Sequence, residues 1–216
     1  MADRWMVLGS SPTAPDHYQT PDVDVVATAG DGITLWPQPD YHFIGEPLGL
    51  WRLEDLIEAA HSKGTKVVFG KDMERCIRKK LGLSLSRKRV PATKDQRRSG
   101  RHNHHNYPVD HVIKRRHLRS HWVPGEFTQI CSGGLAFQYA VMTPDVSEIH
   151  MVGLEGYTGG EDYFTGQKGT PEGKLLNTAV YGPLVQSIVS QCPQIQFITY
   201  GELRYPLEGG NVTRGN

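Results

Sequence analysis

Cysteine is scarce in this 216-residue sequence: Cys76, Cys131 and Cys192 are the whole supply, an odd number with no C-x-x-C spacing. That argues against a disulfide-held scaffold and against a cysteine zinc site, and it fits a reducing compartment. Long apolar runs are also missing, since no stretch approaches the ~20 residues needed to cross a bilayer, and a soluble chain is expected. The opening stretch "MADRWMVLGSSP" has no basic region followed by an apolar one. It therefore sets the expectation of a cytoplasmic protein with no secretion signal. The phosphate-loop pattern G-x-x-x-x-G-K does not occur, and Gly9-Ser10-Ser11-Pro12 is not the dinucleotide fingerprint G-x-G-x-x-G.

What the chain does have is a split of charge hidden under a formal net charge of +1. Residues Lys71 to His121 hold sixteen Lys and Arg against four Asp and Glu, or +12; the remainder holds eight against nineteen, or −11. Six of the ten histidines lie in the same basic segment. A patch of this kind gains affinity for a polyanion by releasing counterions, so nucleic acid bound through residues 71–121 is one expectation, and a solvated insertion is the other. The candidate contacts are Arg87, Lys88, Arg89, Arg97, Arg98, Arg101, Lys114, Arg115 and Arg116, with Tyr107 and Trp122 as surfaces on which bases stack. His102, His104, His105 and Asp110 lie close together, but H-x-H-H matches no standard zinc spacing and no metal is expected.

At ~150 residues per domain, one domain over residues 1–216 is expected, carrying a basic His/Arg-rich insertion or lid at 84–125. Short apolar runs at "RWMVLGS", "VDVVATA", "DYHFIGE", "TKVVFG", "EIHMVGLEG" and "IQFITYG" read as strands. "LWRLEDLIEAAHSKG" puts Leu53, Leu56, Ile57 and Ala60 on one helical face and stops at Gly64. Further helices are predicted at "DMERCIRKKLG", after "ICSGG" and in "KLLNTAVYGPLVQSIVSQC", the last kinked or starting late at Pro183. A short helix is expected near "HVIKRRHLRSHW", and the glycine-rich tail "LEGGNVTRGN" reads as loose. Alternating strands and helices specify a Rossmann-like α/β fold, an open parallel sheet with helices on both faces.

In such a sheet, ligands bind beyond the carboxyl ends of the strands, where the winding reverses. The strand ends here are "LGSSPTAP", "ATAGDG" and "VGLEGY", and "CSGG" opens a helix beside them. Glycine lets backbone approach a ligand, and the free N–H groups of a helix start favour an anion, so these loops suggest a nucleotide or phosphate pocket. Each loop taken singly also fits plain turn chemistry.

The order "VLGSSPT", "VDVVATAGD", "ICSGGLAFQYAV", "EIHMVGLEGYTGGEDYF" resembles the bacterial sialyltransferases and the wider sialyltransferase-like Rossmann clan. The matching positions are Gly9, Pro12, Thr13, Ser132, Gly133, Gly153, Glu155, Tyr157 and Tyr163. The resemblance implies a glycosyltransferase that moves a sugar from a nucleotide-activated donor to an acceptor hydroxyl, and the basic segment suggests modified DNA or another polyanion as that acceptor. It needs no cofactor besides the nucleotide-sugar co-substrate. It places Gly9, Ser10, Ser11, Ser132, Gly133 and Glu155 at the nucleotide donor. Tyr157 and Tyr163 would then hydrogen-bond the leaving phosphate.

The chain departs from that pattern at two points. Ser10 and the stretch Thr28-Ala29-Gly30-Asp31 stand where the family has asparagines, and Met151 to Asn216 contains no histidine where the family's catalytic one precedes the last helix. Lys174 falls closest to its place, and Asp31 replaces the second asparagine in part. The proton acceptor is then a histidine of the insertion (His111, His117 or His121) or a carboxylate (Asp31, Glu155, Glu161 or Asp162). The remaining alternatives are a nucleic-acid or nucleotide-binding module of the same fold without catalysis, and a diphosphate transferase.

Overall fold

A computed structural model of the chain describes residues 3–45, 50–70, 85–86, 107–116, 119–128, 131–155, 165 and 177–215. Eight strands form one all-parallel sheet: β1 (Asp3–Leu8), β2 (Val25–Ala29), β3 (Tyr41–Ile44), β4 (Lys66–Gly70), β7 (His111–Ile113), β10 (Val146–Val152), β11 (Gln196–Thr199) and β12 (Val212–Arg214). Their spatial order is β12-β11-β10-β1-β2-β3-β4-β7. Two-residue parallel pairs join β5 (Leu85–Ser86) to β6 (Tyr107–Pro108), and β8 (Arg115–Arg116) to β9 (Phe127–Thr128). The helices are α1 (Ala14–His17), α2 (Gly32–Leu35), α3 (Leu50–Ser62), α4 (Ser132–Met142) and α5 (Gly182–Gln191).

The sheet follows from its apolar runs. Trp5, Met6, Val7 and Leu8 of β1 are all buried, as a central strand covered on both faces requires. Side chains alternate along it, so Trp5 and Val7 join the core that includes α4 and α5, while Met6 and Leu8 join a second core with Ala14 and Tyr200. A third core, around Ile33, Ile44, Leu56, Ile57, Val67 and Phe69, lies between the sheet and α2 and α3. α4 is buried almost all round, including Gln138, whose amide accepts from the Thr128 N–H and donates to the Thr128 and Gly134 carbonyls.

From β1 the chain runs outward through β2, β3, β4 and β7, and later returns to the other side of β1 through β10, β11 and β12. The winding therefore reverses between β1 and β10. These two strands are in register from Arg4↔Glu148 to Leu8↔Val152, so their carboxyl ends lie side by side.

Several expectations change. The short helix expected near "HVIKRRHLRSHW" is replaced by an edge strand: His111–Ile113 pairs with Val68–Gly70, and the Asp110 carboxylate accepts the Val67 N–H at 2.7 Å. Two β-branched residues in sequence suit a strand better than a helix, and basic neighbours do not oppose an edge position. The stretch 84–125 is thus not wholly an excursion, because its C-terminal part supplies the eighth strand. Trp122, expected as a base-stacking surface, is buried in the main core, and its backbone N–H donates to Ser187 Oγ at 3.0 Å. The tail expected to be loose contains β12, held by the Asn211 amide, which donates to the carbonyls of Cys192 and Ile195 at 3.1 and 3.0 Å. The last helix opens as a π-helical turn, Asn177–Tyr181, and becomes α5 at Gly182, with Pro183 in its first turn where no N–H is needed. The helix expected at "DMERCIRKKLG" lies outside the described residues.

Candidate functional site at the strand ends

The loops after β1 and β10 meet with no room to spare. Gly9 N–H donates to Val152 O at 2.8 Å and Ser11 N–H to Gly153 O at 3.3 Å. A Cβ on Gly9 would run into the Gly153 carbonyl oxygen, and Gly153 itself has φ +69°, a conformation that favours glycine. Glycine at both positions is what allows the two strand ends to close into one crevice. A Cβ on Gly133 would lie 2.7 Å from Leu154, so the start of α4 abuts the same loop.

Polar side chains gather along this edge, in two states. Some are consumed by backbone: Ser10 Oγ donates to Ala29 O at 3.0 Å, and Ser132 Oγ accepts from Gly45 N–H at 2.9 Å. Ser132 keeps its own hydroxyl proton for a further acceptor. Others retain unused capacity. Ser11 is 7% exposed and Glu155 3%, yet Ser11 Oγ and Glu155 Oε2 have no hydrogen-bond partner. An unpaired buried polar atom costs about 1–3 kcal/mol, and a ligand that pairs it recovers that cost. Asp31, 6% exposed, begins α2 and accepts the Thr165 hydroxyl at 3.3 Å.

Glu155 is the electrostatic centre of the crevice. Burial raises its pKa above the usual carboxylate range. Opposing that rise are the Thr13 hydroxyl bonded to Oε1, a backbone hydrogen bond, and the nearby charges of His17 and Arg204. The loop after β11 closes the far side: a Cβ on Gly201 would meet both Glu155 and Thr13, and Arg204 N–H donates to Glu155 O at 2.9 Å. Tyr205 donates its hydroxyl to Leu154 O at 3.1 Å, and burial pushes its pKa up. A cavity of about 510 Å³ is lined by Gly182, Pro183, Gln186, Arg204 and Tyr205 among others.

Of the residues singled out in the sequence, Gly9, Ser10, Ser11, Asp31, Ser132, Gly133 and Glu155 all sit along this one edge. Tyr157, Tyr163 and Lys174 lie outside the described residues, as do Arg87, Lys88, Arg89, Arg97, Arg98 and Arg101. Lys114 is exposed, and Arg115 and Arg116 form β8. His17 was not singled out by sequence. Its signal was its place four residues after Thr13, one helical turn on. Among the described residues no group of three or more His, Cys, Asp or Glu could hold a metal ion, and no helix is long and apolar enough to cross a membrane. Comparison with family models, with curated proteins and with solved structures finds no match.

Proposed function

We propose that the chain transfers a sugar from a nucleotide-activated donor to an acceptor hydroxyl, with the donor held at the β1/β10 crevice. The observation that supports this reading is the buried, unpaired polar capacity of Ser11 and Glu155 at the point where the winding reverses. In this reading Gly9 and Gly133 let backbone approach the nucleotide, Ser11 and Ser132 donate hydroxyl hydrogen bonds to it, and Tyr157 and Tyr163 stabilise the departing phosphate. Asp31 or Glu155 accepts the proton from the acceptor hydroxyl, and Lys174 offers a cation to the phosphate. The basic segment recruits a polyanionic acceptor such as modified DNA.

The test is incubation with a panel of nucleotide sugars and hydroxymethylated DNA, read by mass spectrometry. A mass increase of one sugar on the acceptor is expected, and Tyr157→Phe reduces it. An unchanged acceptor together with an intact donor overturns the reading. The division of charge between residues 71–121 and the rest favours a second reading, a nucleic-acid-binding module without catalysis. Binding that weakens steeply with salt, with Ser132→Ala and Tyr157→Phe without effect, would select it.

A further inference from the structure

Beyond β11 the burial of the chain alternates residue by residue. Leu203, Tyr205 and Leu207 pack on the core that includes α4 and α5, while Arg204, Pro206 and Glu208 are exposed. This segment lies directly on the first turn of α5, since a Cβ on Gly182 would sit 2.6 Å from Tyr205 Cβ. Its two ends are pinned. Arg204 N–H donates to Glu155 O at 2.9 Å, and the Gln186 side-chain amide accepts the Glu208 N–H and donates to the Glu208 carbonyl, each at 2.8 Å. Tyr205 is fixed between them, with its hydroxyl spent on Leu154 O and its ring edge to face with Tyr181 at 5.3 Å. The cavity of about 510 Å³ is bordered by this pinned segment and the start of α5, and Pro183, Arg204, Tyr205, Pro206 and Glu208 all line it.

We propose that this cavity binds a small zwitterionic ligand with an apolar body, the chemistry of an aromatic amino acid or a short apolar peptide. Its volume falls in the ~300–1,000 Å³ range of small-molecule pockets, whose walls are mostly apolar with a few polar groups that fix orientation. The walls here are mostly apolar, supplied by Pro183, Pro206 and the Tyr205 ring. Proline loses almost no side-chain entropy when a ligand covers it, and the hydrogen bonds at Arg204 and Glu208 hold the backbone in place beforehand. The polar groups divide into two kinds. Gln186 and the Tyr205 hydroxyl are consumed by the bonds that build the wall, so they do not choose the ligand. The side chains of Arg204 and Glu208 enter no hydrogen bond or ion pair among the described residues. One guanidinium and one carboxylate on the same cavity match a ligand that carries a carboxylate and an ammonium, and they disfavour a ligand with charge of one sign only.

The experiment titrates the full chain with phenylalanine, with phenylalanylphenylalanine, and with the amide and N-acetyl forms of that dipeptide, read by calorimetry and by ¹H–¹⁵N spectra. Saturable binding of the dipeptide is expected, with shifts at the Gly182 and Glu208 amides and at the Gln186 side-chain amide. Dialanine keeps both charges but lacks the apolar body, and it should not saturate the site. Amidation removes the ligand's carboxylate and acetylation its ammonium; each should weaken binding by roughly two- to fivefold, the scale of one exposed ion pair. Arg204→Gln should cost the dipeptide the same factor and leave the affinity of the amide unchanged, while Glu208→Gln should do so and leave the N-acetyl form unchanged. Both residues are exposed, so melts of the variants should match the parent, and Arg204→Lys should recover most of the loss. Phenylalanine binding at least as tightly as the dipeptide supports the site with a free amino acid as its ligand, and weaker binding supports it with a peptide. No saturable binding of either, shifts confined to other parts of the chain, or blocked forms that bind as tightly as the dipeptide overturn the proposal.

Discussion

His42 and Glu155 are both buried titratable side chains with one polar atom left unpaired, yet they occupy different kinds of interior. His42 lies in the middle of the sheet, on the face of β3 that Ile44 shares, under the core closed by α2 and α3. Thr28 Oγ1 donates to Tyr41 O and so accepts from His42 Nδ1–H at 3.0 Å, which leaves Nε2 bare. Burial, helped by the charge of Lys63, drives the His42 pKa down to about 3. Glu155 lies just beyond the end of a strand, bonded to the Thr13 hydroxyl and under the influence of the charges of His17 and Arg204. An unpaired atom marks a site only where something outside can reach it. Both unpaired atoms are buried, but His42 lies inside the sheet, whereas Glu155 lies just beyond a strand's carboxyl end, where parallel sheets bind ligands.

Three substitutions break or sharpen that contrast. The largest effect belongs to the crevice backbone: Gly9→Ala drives a methyl group into the Gly153 carbonyl oxygen and should destabilise the fold by on the order of 3 kcal/mol, read from the denaturant midpoint. A tolerated alanine would mean the two strand ends do not close as described.

The second effect belongs to His42. Its folded pKa of about 3 lies below the unfolded value, so the unfolded chain binds the extra proton between pH ~6.5 and about 3. The stability it leaves intact above that window is lost as pH falls through it, at about 1 kcal/mol per pH unit. Unfolding followed from pH 7 to 4 should show that acid limb, and His42→Leu should flatten it.

The smallest effect is at Glu155, and it has the opposite sign. Its folded pKa is raised, so its contribution is intact below the ordinary carboxylate range and declines as pH rises through the folded value. Glu155→Gln should therefore gain stability relative to the parent at pH 8 and lose that advantage near pH 4. If both titrations ran in the same direction, the two interiors would not differ as proposed.

Much of the sheet was legible because its strands are buried on both faces. Runs such as Trp5 to Leu8 and Val67 to Phe69 leave no polar alternation to confuse them with surface segments. β7 was hidden because only His111, Val112 and Ile113 pair, between Asp110 and the basic run Lys114-Arg115-Arg116, which reads as loop. β12 was hidden because Val212-Thr213-Arg214 is a short run set among glycine and polar residues; Asn211 and the edge of β11 recruit it. His17 was invisible for a related reason: a four-residue helix has no period.

Local sequence alone determined where apolar runs become strands, where Gly64 ends a helix, and that Gly9, Ser132 and Glu155 fall at element ends, since each depends on residues a few positions apart. Only the tertiary structure decided that Ser10 is spent on a carbonyl while Ser11 is not, that Trp122 is core, and that Thr13 meets Glu155 across more than a hundred residues of chain. Hydrogen-bond capacity is settled by which group arrives opposite, and arrival across a parallel sheet is set by winding order, which no short stretch of sequence encodes.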